Sequence, residues 1–275
     1  MAWKFLLIFF LVSVVGCSIG FKKTVYFLSV GYGFSIALLG IAFLVVILAG
    51  GYPAGAVMVL QCVLFVIYGA RLSGFLIYRE QKSAAYRKVL KNAKGGTSEG
   101  SIGGKIGIWL GVSALYVLQT CPVFYRACNG AGARTGAGIV LPLVGALITA
   151  LGITLEALAD VEKDKSKKVR PDAPAMQGLF RMVRCPNFFG ELLVWTGVFV
   201  GSLDALSGAG QWIAAILGYA MIFMIMITSA QRLERGQEQR YGKNPEYRQY
   251  ADHTPILFPL IPLYHMGNYG AKDGR

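Results

Sequence analysis

The feature that most constrains this chain is a series of long apolar runs separated by short polar stretches. A run of roughly 17–25 apolar residues crosses the ~30 Å hydrocarbon core of a bilayer. Seven such runs occur, at about 3–20, 26–49, 55–77, 105–125, 137–158, 188–203 and 211–229. Because a segment in lipid must satisfy its backbone hydrogen bonds internally, each run is expected to be helical. The sequence therefore predicts an all-α, polytopic integral membrane protein with about seven transmembrane helices.

The basic residues are distributed unevenly, and this distribution predicts the topology. With the C-terminus in the cytoplasm, only Lys4, Arg126 and Arg134 of the 27 Lys and Arg residues lie on the opposite side. That bias follows the positive-inside rule, and it accounts for the net charge of +13 without a nucleic-acid partner. We expect a multi-pass protein of the endoplasmic reticulum or of a bacterial inner membrane, surrounded by membrane lipids and without an obligate protein partner.

Cysteine and histidine give little indication of a metal site. The five cysteines show no paired CxxC spacing and the chain has only two histidines, so neither a structural zinc site nor any other metal is expected. The N-terminal stretch MAWKFLLIFFLVSVVGCS resembles a secretory signal that ends in a lipoprotein-type site at Cys17. A first transmembrane helix is the favoured alternative, because further apolar runs follow directly.

The chain is predicted to form a single membrane-embedded domain over residues 1–275. Within it, the Gly/Ser-rich residues 91–105 are expected to be a flexible cytosolic loop, and residues 159–187 and 230–275 to be cytosolic. A glycine-rich stretch at 129–138 lacks a preceding strand and the spacing of a dinucleotide-binding loop. Five glycines within two apolar runs predict close helix packing: Gly31, Gly33, Gly40, Gly69 and Gly74.

Two stretches place charge beside apolar helices on the predicted cytosolic side. In YGARLSGFLIYR (68–79), Arg71 either extends towards the interface or contacts an anion inside the bundle. In the stretch 153–170, Glu156 and Asp160 are four residues apart and share one helix face. They could accept hydrogen bonds from ribose hydroxyls or an amide while nearby lysines neutralise phosphates. An ordinary solvated charge cluster is the alternative for those lysines.

A third stretch, GLFRMVRCPNFFGELLVW (178–195), has the character of a ligand site at a helix start. Proline is tolerated in a first turn, so Pro186 is expected to begin a helix. Asn187, Glu191 and Trp195 then follow one face, and Gly190 would let a flat group or a neighbouring backbone approach closely. Two arginines, Arg181 and Arg184, precede this helix N-terminus and suit an anion.

The last polar stretch (231–262) continues from the final apolar run. Its polar residues recur at three- or four-residue spacing along an expected cytosolic helix, and two tyrosines follow before prolines end the pattern. These residues are Gln231, Glu234, Glu238, Tyr241, Tyr247 and Tyr250. An exposed mixed-charge helix with interfacial tyrosines is the simpler interpretation.

Three ordered motifs carry a family resemblance. They are YGARLSGFLIYR, then E-x-x-x-D followed by R-x-P-N-F-F-G-E with a Trp, and the C-terminal E-Y-x-x-Y…P. Together, over about residues 68–260, the chain resembles the steroid 5α-reductase superfamily, in particular its broad DUF1295-like branch of membrane proteins. The resemblance implies a seven-helix reductase with a cofactor pocket on the cytosolic side. Such an enzyme binds NADPH and reduces the activated C=C (enone) of a lipid or sterol-like substrate.

The resemblance also assigns roles to individual residues. Asn187 would contact the nicotinamide carboxamide, with Glu191 and Trp195 lining that pocket. Asp160 and Glu156 fall where the family contacts ribose or amide groups. The remaining implied cofactor contacts are Lys167 at a phosphate-binding position, together with Arg71, Arg184, Glu234, Arg240, Tyr247 and Tyr250.

The substrate side departs from the steroid reductases. Those enzymes polarise the substrate carbonyl with an early Glu and a Tyr after the position of Arg71, whereas this chain has no acid before Glu80 and has Phe75 at the Tyr position. Neutral hydrogen-bond donors can also polarise a carbonyl. The expected catalytic substitutes within the apolar runs are Gln61, Tyr68 and Gln119, with Tyr78 as a further polar group.

Two other functions stay open. Membrane methyltransferases of the isoprenylcysteine type carry a related R-H-P motif and bind S-adenosylmethionine. Here Asn follows the Pro, and G-E follows F-F, which is the reductase form. A non-enzymatic lipid-binding relative is the other alternative. A transporter is disfavoured because the polar groups cluster at one membrane face.

Overall fold

The computed structural model describes residues 2–83, 86–87, 90 and 102–267. These residues form helices and connecting turns, with no β-strand among them. The α-helices are α1 (Ala2–Cys17), α2 (Val30–Ala49), α3 (Ala56–Lys82), α4 (Ile102–Cys128), α5 (Val140–Val169), α6 (Pro186–Val200), α7 (Gly208–Tyr241) and α8 (Pro245–His253). Short 3-10 helices occupy Ser18–Phe21, Thr24–Leu28, Gly136–Ile139 and Gly178–Arg181.

Six helical segments in the described part of the chain are long and apolar enough to cross a bilayer. They are Lys4–Phe21, Thr24–Ala49, Ala56–Lys82, Ile102–Cys128, Gly136–Val169 and Gly208–Tyr241. The chain is therefore an all-α multi-pass membrane protein, as the apolar runs predicted. The choice of membrane and the cytoplasmic position of the C-terminus stay predictions.

The expected sixth span differs from its prediction. In place of a span at 188–203, α6 covers Pro186–Val200 and has 15 residues, about 22 Å at 1.5 Å per residue, which is less than the hydrocarbon thickness. It ends early because the chain turns after Val200, where Ser202 N donates to Phe199 O at 3.1 Å and Ala205 N to Ser202 O at 2.9 Å. Of the seven expected spans, six therefore correspond to membrane-length helical segments in the described residues, and the sixth corresponds to the shorter α6.

Two helices extend well beyond their expected spans. Helix α5 has 30 residues and α7 has 34, about 45 and 51 Å, so their C-terminal turns project past the hydrocarbon core. Both extensions lack proline and are rich in helix-forming Glu, Lys, Gln and Arg. An i,i+4 ion pair, Lys168 Nζ to Asp164 at 2.8 Å, adds to the end of α5. The polar stretch after residue 230 begins as a continuation of the last span.

The prediction of a flexible loop at 91–105 is wrong for its last residues, which are helical. Its first part, 91–101, lies outside the described residues, and helix α4 already begins at Ile102. The helix continues the apolar run GIWLGV backwards by one turn, since neither proline nor a capping residue separates the two.

The chain divides into two compact units. The first comprises residues 1–149 and 196–219, and the second comprises residues 150–195 and 220–275. In the first unit, the rings of Phe9, Phe43 and Phe124 form a buried aromatic core, with centroids 4.5 Å apart for Phe9–Phe43 and 4.7 Å for Phe9–Phe124. The assignment of residues 1–275 to one domain stays a prediction.

Glycines bring α2 and α3 together in the first unit. A Cβ placed on Gly33 would lie 2.7 Å from Gly69 O, and one on Gly40 would lie 2.8 Å from Cys62 O. Gly31 is equally tight, against Tyr26 O at 2.7 Å. The prediction of close packing is confirmed at these glycines. It is wrong for Gly74, which faces open space.

Cys17 lies at the end of α1, and Glu80 lies near the end of α3. Cys17 ends α1 and is fully buried. Glu80, the first acid in the sequence, forms hydrogen bonds with Lys23 and Tyr26 near the end of α3. The bond to Glu80 raises the pKa of Lys23. The first carboxylate of the chain therefore links the 3-10 turn before α2 to the end of α3.

Candidate functional site

The start of helix α6 has the geometry that its sequence predicted. The helix begins at Pro186, so Asn187 lies in the first turn and Glu191 and Trp195 follow at four-residue intervals on the same face. Glu191 and Trp195 are buried, and Asn187 is half-buried. Within the described residues, Asn187 Oδ1 accepts no hydrogen bond. A hydrogen-bond acceptor of this kind suits an amide N–H from a ligand.

Gly190 brings this helix against α5. A Cβ at Gly190 would lie 2.8 Å from Glu156 N and 2.9 Å from Gly152 O, and one at Gly152 would lie 2.6 Å from Val194 N. These contacts pair Glu156 with Gly190 and Gly152 with Val194, so the two helices run antiparallel. The sequence left open whether Gly190 makes room for a flat group or for a neighbouring backbone. In the structure a neighbouring backbone, that of α5, lies against it. It brings the buried Glu156 beside the α6 stripe.

Asp160 lies one turn beyond Glu156 on α5 and is half-buried. Both carboxylates therefore share the helix face that their spacing predicted. Glu162, a residue that the motifs did not single out, accepts a hydrogen bond from Leu179 N at 2.8 Å. This bond holds the 3-10 turn Gly178–Arg181 that leads into the α6 motif.

Lys167 lies at the end of α5, where its ammonium group is already bound by protein oxygens. Its Nζ donates to Ala173 O at 2.7 Å, to Tyr241 OH at 3.0 Å and to Pro171 O at 3.1 Å. An ammonium group has three donors, so all three are used. Lys167 joins the last turns of α5 and α7, and in this arrangement no donor points towards a phosphate.

Arg184 and Glu234 form a buried ion pair. The guanidinium Nη2 lies 2.9 Å from Glu234 Oε1, and the two side chains are 1% and 2% exposed. Arg184 also donates to Tyr264 O, and its backbone N–H donates to Pro255 O at 2.8 Å. The structure thus brings two of the expected cofactor residues together, in a contact that seals Arg184 from solvent.

Two residues missed by the sequence motifs complete this pair. His265 Nδ1 lies 3.2 Å from Glu234 Oε1 and its Nε2 lies 2.9 Å from Asp252 Oδ1. Met266 N donates to the second Glu234 oxygen at 2.9 Å. The only sequence signal for His265 was its rarity, since it is one of two histidines and directly follows an apolar segment.

The two tyrosines of α8, Tyr247 and Tyr250, belong to the same second unit as Arg184 and Glu234. Tyr247 is fully buried, and burial raises its pKa to about 12 although the nearby Arg184 opposes that shift. Tyr250 donates from its hydroxyl to Phe180 O at 2.6 Å, and burial raises its pKa as well. By contrast, Arg240 is exposed and donates to Gly236 O at 2.7 Å within its own helix.

Cys185, which lies between Arg184 and Pro186 in the motif before α6, is a buried structural residue. Burial raises the pKa of its thiol to about 12, so it stays protonated and unreactive at neutral pH. Its backbone N–H donates to Ile256 O at 2.9 Å.

The other expected site residues belong to the first unit. Arg71 is half-buried on α3. Gln61 lines a cavity of about 20 Å³, and its Nε2 lies 3.4 Å from Thr149 Oγ1. Tyr68 donates to Tyr32 OH at 3.3 Å. Gln119 differs from these: it is 3% exposed, and neither amide atom has a hydrogen-bond partner in the part of the chain that the structure describes.

No group of three or more His, Cys, Asp or Glu residues suitable for a metal ion occurs among the described residues. The expectation of a metal-free protein stays a prediction.

Six membrane-length helices and a buried polar cluster around the start of a short helix define a polytopic α-helical membrane protein. The chain belongs to the family described as "Protein of unknown function (DUF1295)", which matches residues 15–254. The match includes every expected site residue from Gln61 to Tyr250 and confirms the resemblance to the DUF1295-like branch of the steroid 5α-reductase superfamily. No curated protein and no solved structure matches the chain.

Proposed function

We propose that the protein is a membrane-embedded reductase that uses NADPH to reduce the activated C=C of a lipid or sterol-like enone. The observation that carries this proposal is the α6 start, where Asn187 Oδ1 accepts no hydrogen bond within the described residues and Glu191 and Trp195 line the same face. This arrangement suits a planar ring that bears a carboxamide. The resemblance of the R-x-P-N-F-F-G-E motif to that of the steroid 5α-reductases implies the same cofactor.

The residues present fit the nicotinamide end of NADPH. Asn187 would accept a hydrogen bond from the carboxamide, Trp195 would cover the ring, and Asp160 with Glu156 would accept from ribose hydroxyls. When bound, NADPH supplies the hydride of the reaction. The chain's own contribution is to orient the ring and to exclude water from it, as the burial of Glu191 and Trp195 favours.

The phosphate end fits less well at the expected positions. Lys167 uses its donors on protein oxygens, and Arg184 is buried against Glu234. The exposed Arg181, three residues before Arg184, and the exposed Arg240 are the better phosphate contacts. We therefore assign Lys167 and Arg184 to supporting the site and Arg181 and Arg240 to the phosphates, with Arg71, Glu234, Tyr247 and Tyr250 kept as proposed cofactor residues.

Among the candidate carbonyl-binding groups, the structure favours Gln119. Gln61 and Tyr68 are each within hydrogen-bonding distance of a protein oxygen. The Gln119 amide has no such partner among the described residues, so its Nε2–H can donate to a substrate carbonyl without first breaking a bond. A donated hydrogen bond withdraws electron density from the enone, which favours hydride addition at the β-carbon before a proton reaches the α-carbon.

Titration of the purified full-length protein with NADPH, NADH and S-adenosylmethionine tests the cofactor. We expect NADPH to raise the melting temperature, and Asn187→Ala to weaken NADPH binding by roughly five- to twelvefold, because one hydrogen bond of about 1–1.5 kcal/mol is lost. The apo stability of Asn187→Ala should be nearly unchanged, and Gln239→Ala, an exposed residue of α7, is the matched control.

Three outcomes contradict the proposal. Stabilisation by S-adenosylmethionine alone would indicate the methyltransferase function. Binding of none of the three compounds would favour a non-enzymatic lipid-binding protein. Equal NADPH affinity in Asn187→Ala and Gln239→Ala would exclude the α6 start as the nicotinamide site.

A further inference from the structure

An apolar segment near the C-terminus does not fit the cytosolic role that its position predicted. Residues 255–264, PILFPLIPLY, contain no charged side chain, and we call them the proline loop. The segment is too short to span a bilayer, and apolar segments of about 10–14 residues are typical of re-entrant or interfacial positions. It contains no α-helix.

The proline loop is closed at its base and apolar at its tip. Ile256 N donates to Leu263 O at 2.8 Å, and Ile256 and Leu257 are fully buried. At the tip, Leu260 is 96% exposed and Ile261 is 51% exposed. The side chain of Leu260 is thus almost fully exposed, although the base of its loop is held by buried side chains and a backbone hydrogen bond.

Several backbone N–H groups of the loop are either absent or hydrogen-bonded within it. Pro255, Pro259 and Pro262 have no N–H group. Ile261 N donates to Phe258 O at 3.2 Å, and Leu263 N donates to Ile261 O at 2.7 Å. Irregular backbone is costly in lipid because unsatisfied N–H groups lose their water partners. Three prolines and these internal bonds reduce that cost.

Contacts with α7 place Phe258 of the loop beside the apolar part of that helix. His265 and Met266, which follow the loop, contact Glu234. Phe258 instead stacks on Phe223, with ring centroids 6.0 Å apart. Phe223 precedes Glu234 by eleven residues, about 16 Å along the helix. The chain therefore dips towards the apolar part of α7 and returns.

The neighbouring surface of α7 is apolar and open. Met221 and Met224, which flank Phe223, are 42% and 66% exposed in a helix that is long and apolar enough to cross the bilayer. The same loop residue, Phe258, also meets Phe189 in the first turns of α6, at 6.3 Å. The loop tip and this part of α7 thus both carry apolar side chains that the described residues leave exposed.

We infer that the proline loop inserts into the bilayer as an interfacial anchor, with Leu260 and Ile261 in the acyl-chain region below the headgroups. The partner is the lipid bilayer itself, recognised by apolar contact. This anchor lies directly after the family-matched residues and holds the start of α6 through Pro255 and Ile256, which accept from Arg184 N and Cys185 N. It does not depend on the reductase activity.

Fluorescence quenching in lipid nanodiscs of phosphatidylcholine tests this insertion. Cys128→Ser removes the native cysteine that is not buried, and an environment-sensitive fluorophore is attached at Leu260→Cys. Gln239→Cys, on the exposed polar end of α7, is the matched control. Both positions are exposed in the structure, so labelling should leave the fold intact.

We expect the Leu260 label to lose several-fold more fluorescence to brominated acyl chains than to aqueous iodide, and the Gln239 label to show the reverse. Iodide quenching at Leu260 equal to that at Gln239 would place the loop in water and overturn the inference. Protection of Leu260 from both quenchers would also overturn it, because the tip would then be covered by protein. No nucleotide is present, so the result is independent of NADPH binding.

Discussion

Two buried arginines, one in each unit, show how differently the chain uses the same side chain. Arg126, 4% exposed, donates from Nη1 to Ala131 O at 2.8 Å and from Nε to Gly201 O at 3.3 Å, and its Nη2 pairs with Asp204. Each of its nitrogens has an acceptor. Such a site is complete without a ligand, and it fixes the turn after α6 to the end of α4.

Arg184, 2% exposed, is less completely satisfied. Its Nη2 is paired, but within the described residues neither its Nε nor the nearby Tyr247 hydroxyl forms a hydrogen bond of ordinary geometry. Asn187 Oδ1, three residues further on, also lacks a donor there. Because buried polar atoms are normally paired, this difference separates a structural arginine from one beside a candidate ligand site.

The largest expected effect tests the structural arginine. Arg126→Met leaves Asp204 without its buried partner, and we expect a loss of about 3–5 kcal/mol in the free energy of unfolding. Titration with denaturing detergent in mixed micelles measures that loss. Arg134→Met is the control, since Arg134 is 45% exposed in its ion pair with Asp204 and should cost at most about 1 kcal/mol. Equal losses would contradict the comparison.

A smaller effect is expected where α5 and α6 meet at the candidate site. In Gly190→Ala the new methyl group would lie 2.8 Å from Glu156 N, which should cost about 1–3 kcal/mol through overpacking. Gly74→Ala is the matched control in a helix with open space around it, and there alanine should stabilise the helix by up to about 1 kcal/mol. The same detergent titration compares them, and a stable Gly190→Ala would show that the helices are not in close contact.

The last effect is absent at neutral pH, appears only at alkaline pH, and concerns Cys185 beside Arg184. Burial raises the pKa of its thiol from 9.0 to about 12, so between these values the folded state keeps a proton that the unfolded state loses. Stability should therefore fall as pH rises through this window, by at most about 1.4 kcal/mol per pH unit.

Cys185→Ala isolates this contribution from that of the other thiols. The variant should show a shallower loss of unfolding free energy between pH 9 and pH 11 than the wild-type protein does. If the two proteins lose stability in parallel, the Cys185 thiol is not the group that titrates.

Much of the membrane architecture could be predicted from the sequence, because a backbone in lipid must satisfy its hydrogen bonds internally. Long apolar runs must be helical, and six of seven expected spans correspond to membrane-length helices. The start of α6 at Pro186 was also predictable, since proline restricts where a helix can begin. The sixth span was overestimated because apolar composition does not show where the chain turns after Val200.

The contacts between side chains that lie far apart in the chain could not be predicted from the sequence. The spacing of Arg184 and Glu234 gave no sign that they pair with each other, or that His265 and Met266 contact Glu234. Lys167 had the position of a phosphate ligand, yet its donors bind Tyr241 and two backbone carbonyls. Apart from the two carbonyls close to Lys167, such contacts depend on how segments 31 to 74 residues apart are brought together.

By itself the sequence determined the helical membrane class, the position of the α6 start and the family motifs, because these depend on local composition and on residue types at fixed spacing. Only the tertiary structure decided which polar groups are paired and which are not. It distinguished Gln119 from Gln61 and Tyr68, and it placed the proline loop beside Phe223. Hydrogen-bond satisfaction and depth along a helix are relations between segments, so no single stretch of sequence contains them.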